Sequence, residues 1–560
     1  MKNPMSRTRP GRTGERRFNF WTIVIILFSV FAAAFIIYPF GRLLYQSFFP
    51  KGGPFSFANY EKFFQKQYYI NTLKNSLSVC FWTTILATAI GLPMAYISTR
   101  FNIWGKRVLT MMIVLSMLSP PFIGAYSWII LFGRSGFITK LLEPLGITIG
   151  SIYGFKGILI VFTLKLFPYV FMYVSSALST YDSALDEASE SLGVHGIRKI
   201  LKVTFPVIMP TILSSALIVF MDALADFGTP LLIGEGFKVL PVTIYEEYMS
   251  EVATNASFAS MLSVLIITCS LSVLTLQKWL INRKSYTMSA LRPPEVVKLT
   301  TGKRILATAA VAIVAFLAVL PQITVIVTSF IKTNGPLFVQ GFSLDSYRSI
   351  LYKLSVNIRN TFSYAGIAIV IMMIMGLLLS YIIVRRKGKV ASILDMMIMF
   401  PYVIPGSVLG ISFIIAFNRM PPPFRIVGTA TIMVISFVVR KLPFTLRSAI
   451  GILYQIEPSI EEASISLGVP PMRTFFKTTA ILMLPGLLSG AVLSFIATIN
   501  ELSSTLILYT GKTGTIPVAI YTEIFKDGYG TAAALATILT AATVVSLMVF
   551  NKISGGKSVV

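Results

Sequence analysis

The sequence is short of the groups that do most enzymatic work. Across 560 residues it holds one histidine, His195, and two cysteines, Cys80 and Cys269, the cysteines inside apolar runs. That supply excludes a disulfide framework and argues against a His- or Cys-ligated metal centre. Charge is also scarce, at 12% Asp, Glu, Lys and Arg, about half of what soluble globular chains carry. Acids are scarcest: 22 against 48 Lys and Arg, for a formal charge of +26. With 55% hydrophobic residues and so little polar cover, the chain is expected to have lipid as its main solvent. The basic excess stands in short clusters between apolar runs, which reads as membrane topology and predicts no nucleic-acid partner.

A hydrocarbon core of about 30 Å needs roughly 20 apolar helical residues, and in lipid the helix satisfies its own backbone. Suitable runs lie near 20–43, 72–99, 108–133, 154–180, 206–234 and 255–281. Six more lie near 305–331, 358–384, 392–418, 426–452, 481–510 and 530–550. The pattern predicts an all-α integral membrane protein with twelve transmembrane helices. The first run follows Arg7, Arg9, Arg12, Arg16 and Arg17 and is long enough to read as an uncleaved span. Basic clusters at Arg100, Lys106 and Arg107, around Lys298, Lys303 and Arg304, and at Arg385 to Lys387 predict that both termini are cytoplasmic.

The chain is duplicated. Residues 182–193 (Asp-Ser-Ala-Leu-Asp-Glu-Ala-Ser-Glu-Ser-Leu-Gly) match 457–468 (Glu-Pro-Ser-Ile-Glu-Glu-Ala-Ser-Ile-Ser-Leu-Gly). The same offset puts Pro168 on Pro443, Arg198 on Arg473, Lys202 on Lys477 and Pro210 on Pro485. Upstream, a slightly larger one puts Asn75 on Asn360, Gly91 on Gly376, Tyr96 on Tyr381, Arg100 on Arg385 and Met111-Met112 on Met396-Met397. Two tandem six-helix repeats result, 1–281 and 304–560, joined by a charged cytoplasmic linker, 282–303, that contains Arg292-Pro293-Pro294. An even number of spans precedes the linker, so a pseudo-twofold axis along the membrane normal relates the halves, with a pathway between them.

The repeated segments, 182–196 and 457–471, lie between the fourth and fifth spans of each half. Leu185, Ala188 and Leu192, and Ile460, Ala463 and Leu467, recur at helical spacing opposite carboxylates, and Gly193 or Gly468 ends the helix. An apolar stripe outside the membrane needs a surface to cover it. Here the chain resembles the permease subunits of binding-protein-dependent, type I ABC importers, whose cytoplasmic loop carries Glu-Ala-Ala, three residues and Gly, with Ile-x-Leu-Pro nine residues on. The matching residues are Glu187, Ala188, Ser189 and Gly193, then Glu462, Ala463, Ser464 and Gly468. The first copy continues to Val203-Thr204-Phe205-Pro206, while the second has Thr478-Thr479-Ala480-Ile481 there.

The resemblance implies the type I ABC importer permease fold, with both segments as coupling helices docked on two copies of an ATPase subunit. It also implies a soluble extracytoplasmic substrate-binding protein and a prokaryotic inner or plasma membrane as the setting. The chain has no phosphate-binding loop of its own, since Gly511-Lys512-Thr513 and Gly556-Lys557-Ser558 lack the required earlier glycine. ATP and magnesium are therefore expected on the partner subunits, with no catalytic residue, metal or cofactor on this chain. The fused two-half form resembles the ferric iron branch of these importers, and also relatives for phosphonates and hexose phosphates. A twelve-span ion-coupled secondary transporter is the competing class, but it has no need of the repeated loop helices.

Ionisable residues inside spans are costly and mark function by default. Lys165 matches Arg440 and Asp226 matches Glu501, so Lys165–Asp226 and Arg440–Glu501 are expected to pair, with Asp222, Lys441 and Asn500 nearby. Lys165, Asp222, Asp226, Arg440 and Glu501 are candidates for the pathway or its gate; bracing of adjacent helices is the alternative. Glu235, Glu246, Glu247 and Glu251 in an external loop either meet the binding protein or are solvated. Pro120, Pro121, Pro401 and Pro405 are expected to kink or break spans near the pore.

Overall fold

A computed structural model describes residues 20–117, 121–146, 150–249, 255–283, 296–335 and 337–553. Ten helices in it are long and apolar enough to cross a membrane, among them Phe20–Phe48, Gln67–Arg100, Phe155–Ser179, Thr301–Ser329 and Ser355–Arg386. Another position is taken by a broken pair, Lys389–Val403 and Gly406–Phe417, bent by 111°. Ala430–Gln455 is also of spanning length, though Arg440, Lys441 and Arg447 dilute its apolar character. These segments supply a counterpart for each expected span. Most of the predicted linker, and the Arg-rich start, fall outside the described residues.

Several expected spans are not continuous rods. The ninth breaks at Ile404, which is extended (φ −93°, ψ 139°) because the following Pro405 disfavours helical backbone in the residue before it. In the third position Lys106–Met117 and Pro121–Phe132 are helical, and residues 118–120, where Pro120 was expected to act, lie outside the described residues. The fifth, expected to run to 234, ends as Phe205–Ala225; Asp226 turns extended (ψ 121°) and a short helix, Gly228–Ile233, follows. The eleventh repeats this, with Ala480–Ile499 followed by Thr505–Leu508. A small antiparallel hairpin, Ile331–Asn334 with Leu337–Phe342, departs from the all-α expectation at the end of the seventh span.

In each half the second, fourth and fifth spans form the packed centre. Close approach there is set by matched glycines. A Cβ on Gly91 would lie 2.8 Å from the Phe167 carbonyl oxygen, and one on Gly376 would lie 2.9 Å from the Thr445 methyl. Small residues at such crossings let helices pack tightly where lipid offers no hydrophobic drive.

The halves interlock. The first span leaves its own centre to pack on the eighth and ninth: Trp21 stacks on Tyr381 of the eighth at 4.5 Å between ring centroids, and Phe40 meets Phe400 of the ninth edge-on at 5.1 Å. The seventh does the same in reverse, with Ser127 donating to the Pro321 carbonyl at 2.8 Å. The linker's end also docks on the first half, where Val297 donates to the Arg100 carbonyl at 2.8 Å and Arg304 lies over Trp104.

Candidate functional site

The two repeated loops fold alike. Helices Ala184–Ser191 and Pro458–Ser466 are shorter than the predicted 182–196 and 457–471, because Gly193 (φ +77°) and Gly468 (φ +85°) turn the chain left-handed. At each end two bonds close the turn: Gly193 and Val194 donate to Glu190 and Ser189, and Gly468 and Val469 to Ile465 and Ser464. A second short helix follows, Gly196–Lys199 or Pro471–Thr474.

The motif residues divide by face. Ser189 is buried and donates to the Asp186 carbonyl at 2.8 Å, and Ser464 bonds Thr474 at 3.0 Å. Glu187, Ala188, Glu462 and Ala463 point outward, and so do Leu192 and Leu467, 82% and 84% exposed. The apolar stripe is therefore uncovered within this chain. Glu187 and Glu462 form no ion pair among the described residues.

Each loop helix is tied to the second span of its own half by the acid just before the motif Glu. In the first half Arg100 reaches Asp186 at 3.3 Å, and the Tyr181 hydroxyl donates to the same carboxylate at 3.1 Å. Burial, and then the charge of Asp186, push the Tyr181 phenol up to about 12, so it stays a neutral donor. In the second half Arg385 reaches Glu461 at 3.2 Å and Tyr381 donates to it at 2.9 Å. One support is not duplicated. Lys199 donates to Glu190 at 2.7 Å, a bond that holds this exposed carboxyl below the usual range; the matching positions are Ile465 and Thr474.

The intramembrane charges meet as paired. Lys165 Nζ lies 2.5 Å from Asp226 Oδ2, and Glu501 is held by both Arg440 and Lys441, the latter at 2.6 Å. Both carboxylates sit where a span breaks and cap the short helix beyond. The Thr229 N–H donates to Asp226 at 2.9 Å and the Ser504 N–H to Glu501 at 3.1 Å. All of these charges line one cavity of about 310 Å³ between the halves, together with Asp222 and Asn500. Gly406 has no room for a Cβ, which would strike the Arg440 guanidinium. Beyond the charges, Phe122, Phe227, Leu502 and Leu506 are buried in one apolar cluster contributed by both halves. The external acids are paired inside the chain: Glu235 with Arg134 at 2.8 Å, Glu246 with Lys238 at 2.5 Å, and Glu247 with the Tyr69 hydroxyl at 2.6 Å. Glu251 lies outside the described residues.

The family described as the binding-protein-dependent transport system inner membrane component matches residues 87–286 and 372–556, one match in each half. The chain belongs to this family. The permease is 30% identical to the ferric transport system permease protein FbpB of Actinobacillus pleuropneumoniae, over 95% of this chain and 77% of that one. It is 31% identical to a putative ferric transport system permease protein of Haemophilus influenzae, over 90% and 79%. The molybdenum transport system permease protein ModB of Haemophilus influenzae is 27% identical over 38% of this chain but 94% of its own length. A whole single-unit permease thus matches less than half of this fused one. Membership makes the chain a multi-pass inner-membrane transport subunit of an ABC importer, served by an ATPase and a substrate-binding protein.

Sequence reasoning missed several of the permease's site residues. Asp186 and Glu461 are duplicated one position before the motif, and Arg100 and Arg385 are duplicated too, but as loop charges they carried only a topology signal. Tyr169 and Tyr402, which face the cavity, had no signal in either repeat.

Proposed function

We propose that this permease forms the membrane pathway for ferric iron in an ATP-driven importer. Two ATPase subunits dock on its two loop helices, and iron arrives from a soluble binding protein on the opposite face. ATP is hydrolysed on the docked subunits alone, with both termini of this chain on the cytoplasmic side. The observation that carries the substrate is the identity of 30% and 31%, over nearly the full chain, to permeases of ferric transport systems.

The coupling role rests on the exposed motif faces. Leu192 and Leu467 offer apolar contact, Ala188 and Ala463 admit close approach, and Glu187 and Glu462 offer unpaired charge to a basic groove. When the ATPase subunits close, each loop helix is pushed with the end of its second or eighth span, through Arg100–Asp186 or Arg385–Glu461. The motion reaches the break points at Asp226 and Glu501. There the ion pairs and the apolar cluster beyond them hold the pathway shut until the halves rock apart.

The test is uptake of radioactive iron into cells that have the transporter deleted and complemented with this chain, its ATPase and its binding protein. Restored uptake is expected, with a loss of at least about tenfold when Glu187 and Glu462 are both changed to Arg. Restored uptake of phosphate or a phosphonate in place of iron would refute the substrate assignment.

A further inference from the structure

The cavity between the halves is pseudo-symmetric in position but not in chemistry. Three pairs of matching positions line it: Tyr169 with Phe444, Asp222 with Ala497, and Tyr402 with Met117. In every pair one member carries an oxygen donor and the other carries none. All three donors line this one cavity, and both tyrosines lie within range of the charge of Asp222. They come from three spans: the fourth, the fifth and the ninth.

This contrasts with the charge pairs in the same cavity. A group that only braces helices is needed once in each copy of a duplicated bundle, and the pairs at Asp226 and Glu501 are present in both. The oxygen donors break the repeat. Asp222 also differs from Asp226 and Glu501 in forming no ion pair among the described residues. Lys165 and Lys441 act on it from a distance, but each is already bound to a carboxylate of its own.

We propose that Tyr169, Asp222 and Tyr402 form a transit site that takes a hard trivalent cation, ferric iron, as it crosses between the halves. The assignment rests on the ferric reading given above. Hard cations prefer oxygen ligands, and phenolate and carboxylate are the hard anionic donors that side chains offer. Each ligating phenol exchanges its proton for the metal and releases that proton to water, so loading is coupled to proton release. Three donors leave other coordination positions to water or a carried anion, as suits an ion that must leave again.

The permease purified with its ATPase subunit, and titrated with ferric nitrilotriacetate, is expected to develop the visible phenolate-to-iron charge-transfer band. Gallium, a hard trivalent ion without that band, should compete it away. Tyr169→Phe, Tyr402→Phe and Asp222→Asn should each weaken the apparent affinity by about tenfold or more, and the double tyrosine variant should lose the band. Folding is little threatened, because Phe444 already occupies the position that matches Tyr169. A missing band, or one that survives in the double variant, overturns the site. Iron uptake by vesicles separates the two failures: uptake without the band sinks this site alone, and no uptake of iron sinks the ferric reading beneath it.

Discussion

Lys165 and Asp226 show at the level of single residues how a membrane interior handles charge. Removing one partner leaves a buried ion uncompensated, at a cost of about 3–5 kcal/mol, whereas replacing both with apolar groups is often close to neutral. Lys165→Met and Asp226→Leu should each lower the unfolding temperature of the detergent-solubilised complex, and the double variant should recover most of the loss. If the pair also closes the pathway, the recovered double variant will leak iron without ATP; a double variant that is stable and tightly coupled makes the pair a brace only. Glu461 carries a different load, because Arg385 and Tyr381 both converge on it. Glu461→Gln should leave ATPase binding intact and cut iron transport per ATP hydrolysed several-fold. An exchange of charges, Arg385→Glu with Glu461→Arg, should restore part of it, and unchanged coupling in the single variant would remove Glu461 from the force path.

At the scale of elements, the turn that ends each loop helix is the sharpest constraint. Gly193 and Gly468 both have positive φ and open space where a Cβ would go, so alanine at either meets backbone strain alone, about 1–2 kcal/mol. The second copy's departure from the motif at Thr478 to Ile481 suggests unequal costs. The structure makes the two turns equivalent, since the departure begins inside a wide helical turn, Phe475–Thr479, that the first copy also has at Ile200–Thr204. Gly193→Ala and Gly468→Ala should therefore lower ATPase stimulation by similar amounts; a tenfold difference would contradict the equivalence.

Length and hydropathy were enough to read the spans, and self-similarity was enough to read the loop helices and the ion pairs. Pro405 marked the break at Ile404, but those at Asp226 and Glu501 were not legible, because a broken span is as apolar as a continuous one and its capping carboxylate looks like any buried charge. Nor was the anchoring acid, since Asp186 and Glu461 stand among other loop carboxylates, and only the fold brings Arg100 and Arg385 to them. Asp222 was legible as a charge inside a span, but Tyr169 and Tyr402 were hidden by the same duplication that revealed the rest: a comparison of the halves picks out what they share, and these tyrosines are not shared.

For the whole molecule, the exchange of first and seventh spans joins the halves. Trp21 on Tyr381 and Ser127 on Pro321 tie each half to the other outside the cavity. Association should not depend on the covalent linker. Two fragments cut between 284 and 295 and co-expressed should purify together and transport iron with the ATPase; fragments that separate in mild detergent would show that the interlock is weaker than its packing implies. The central claim is that ATP-driven closure on the loop helices moves ferric iron between the halves. Its most direct measurement uses vesicles holding the complex, with ATP and the ATPase face inside and the iron-loaded binding protein outside. Iron should accumulate only with internal ATP, and accumulation should stop when Glu187 and Glu462 are changed to Arg. Accumulation driven by an ion gradient without ATP, or undiminished in that double variant, would contradict the account.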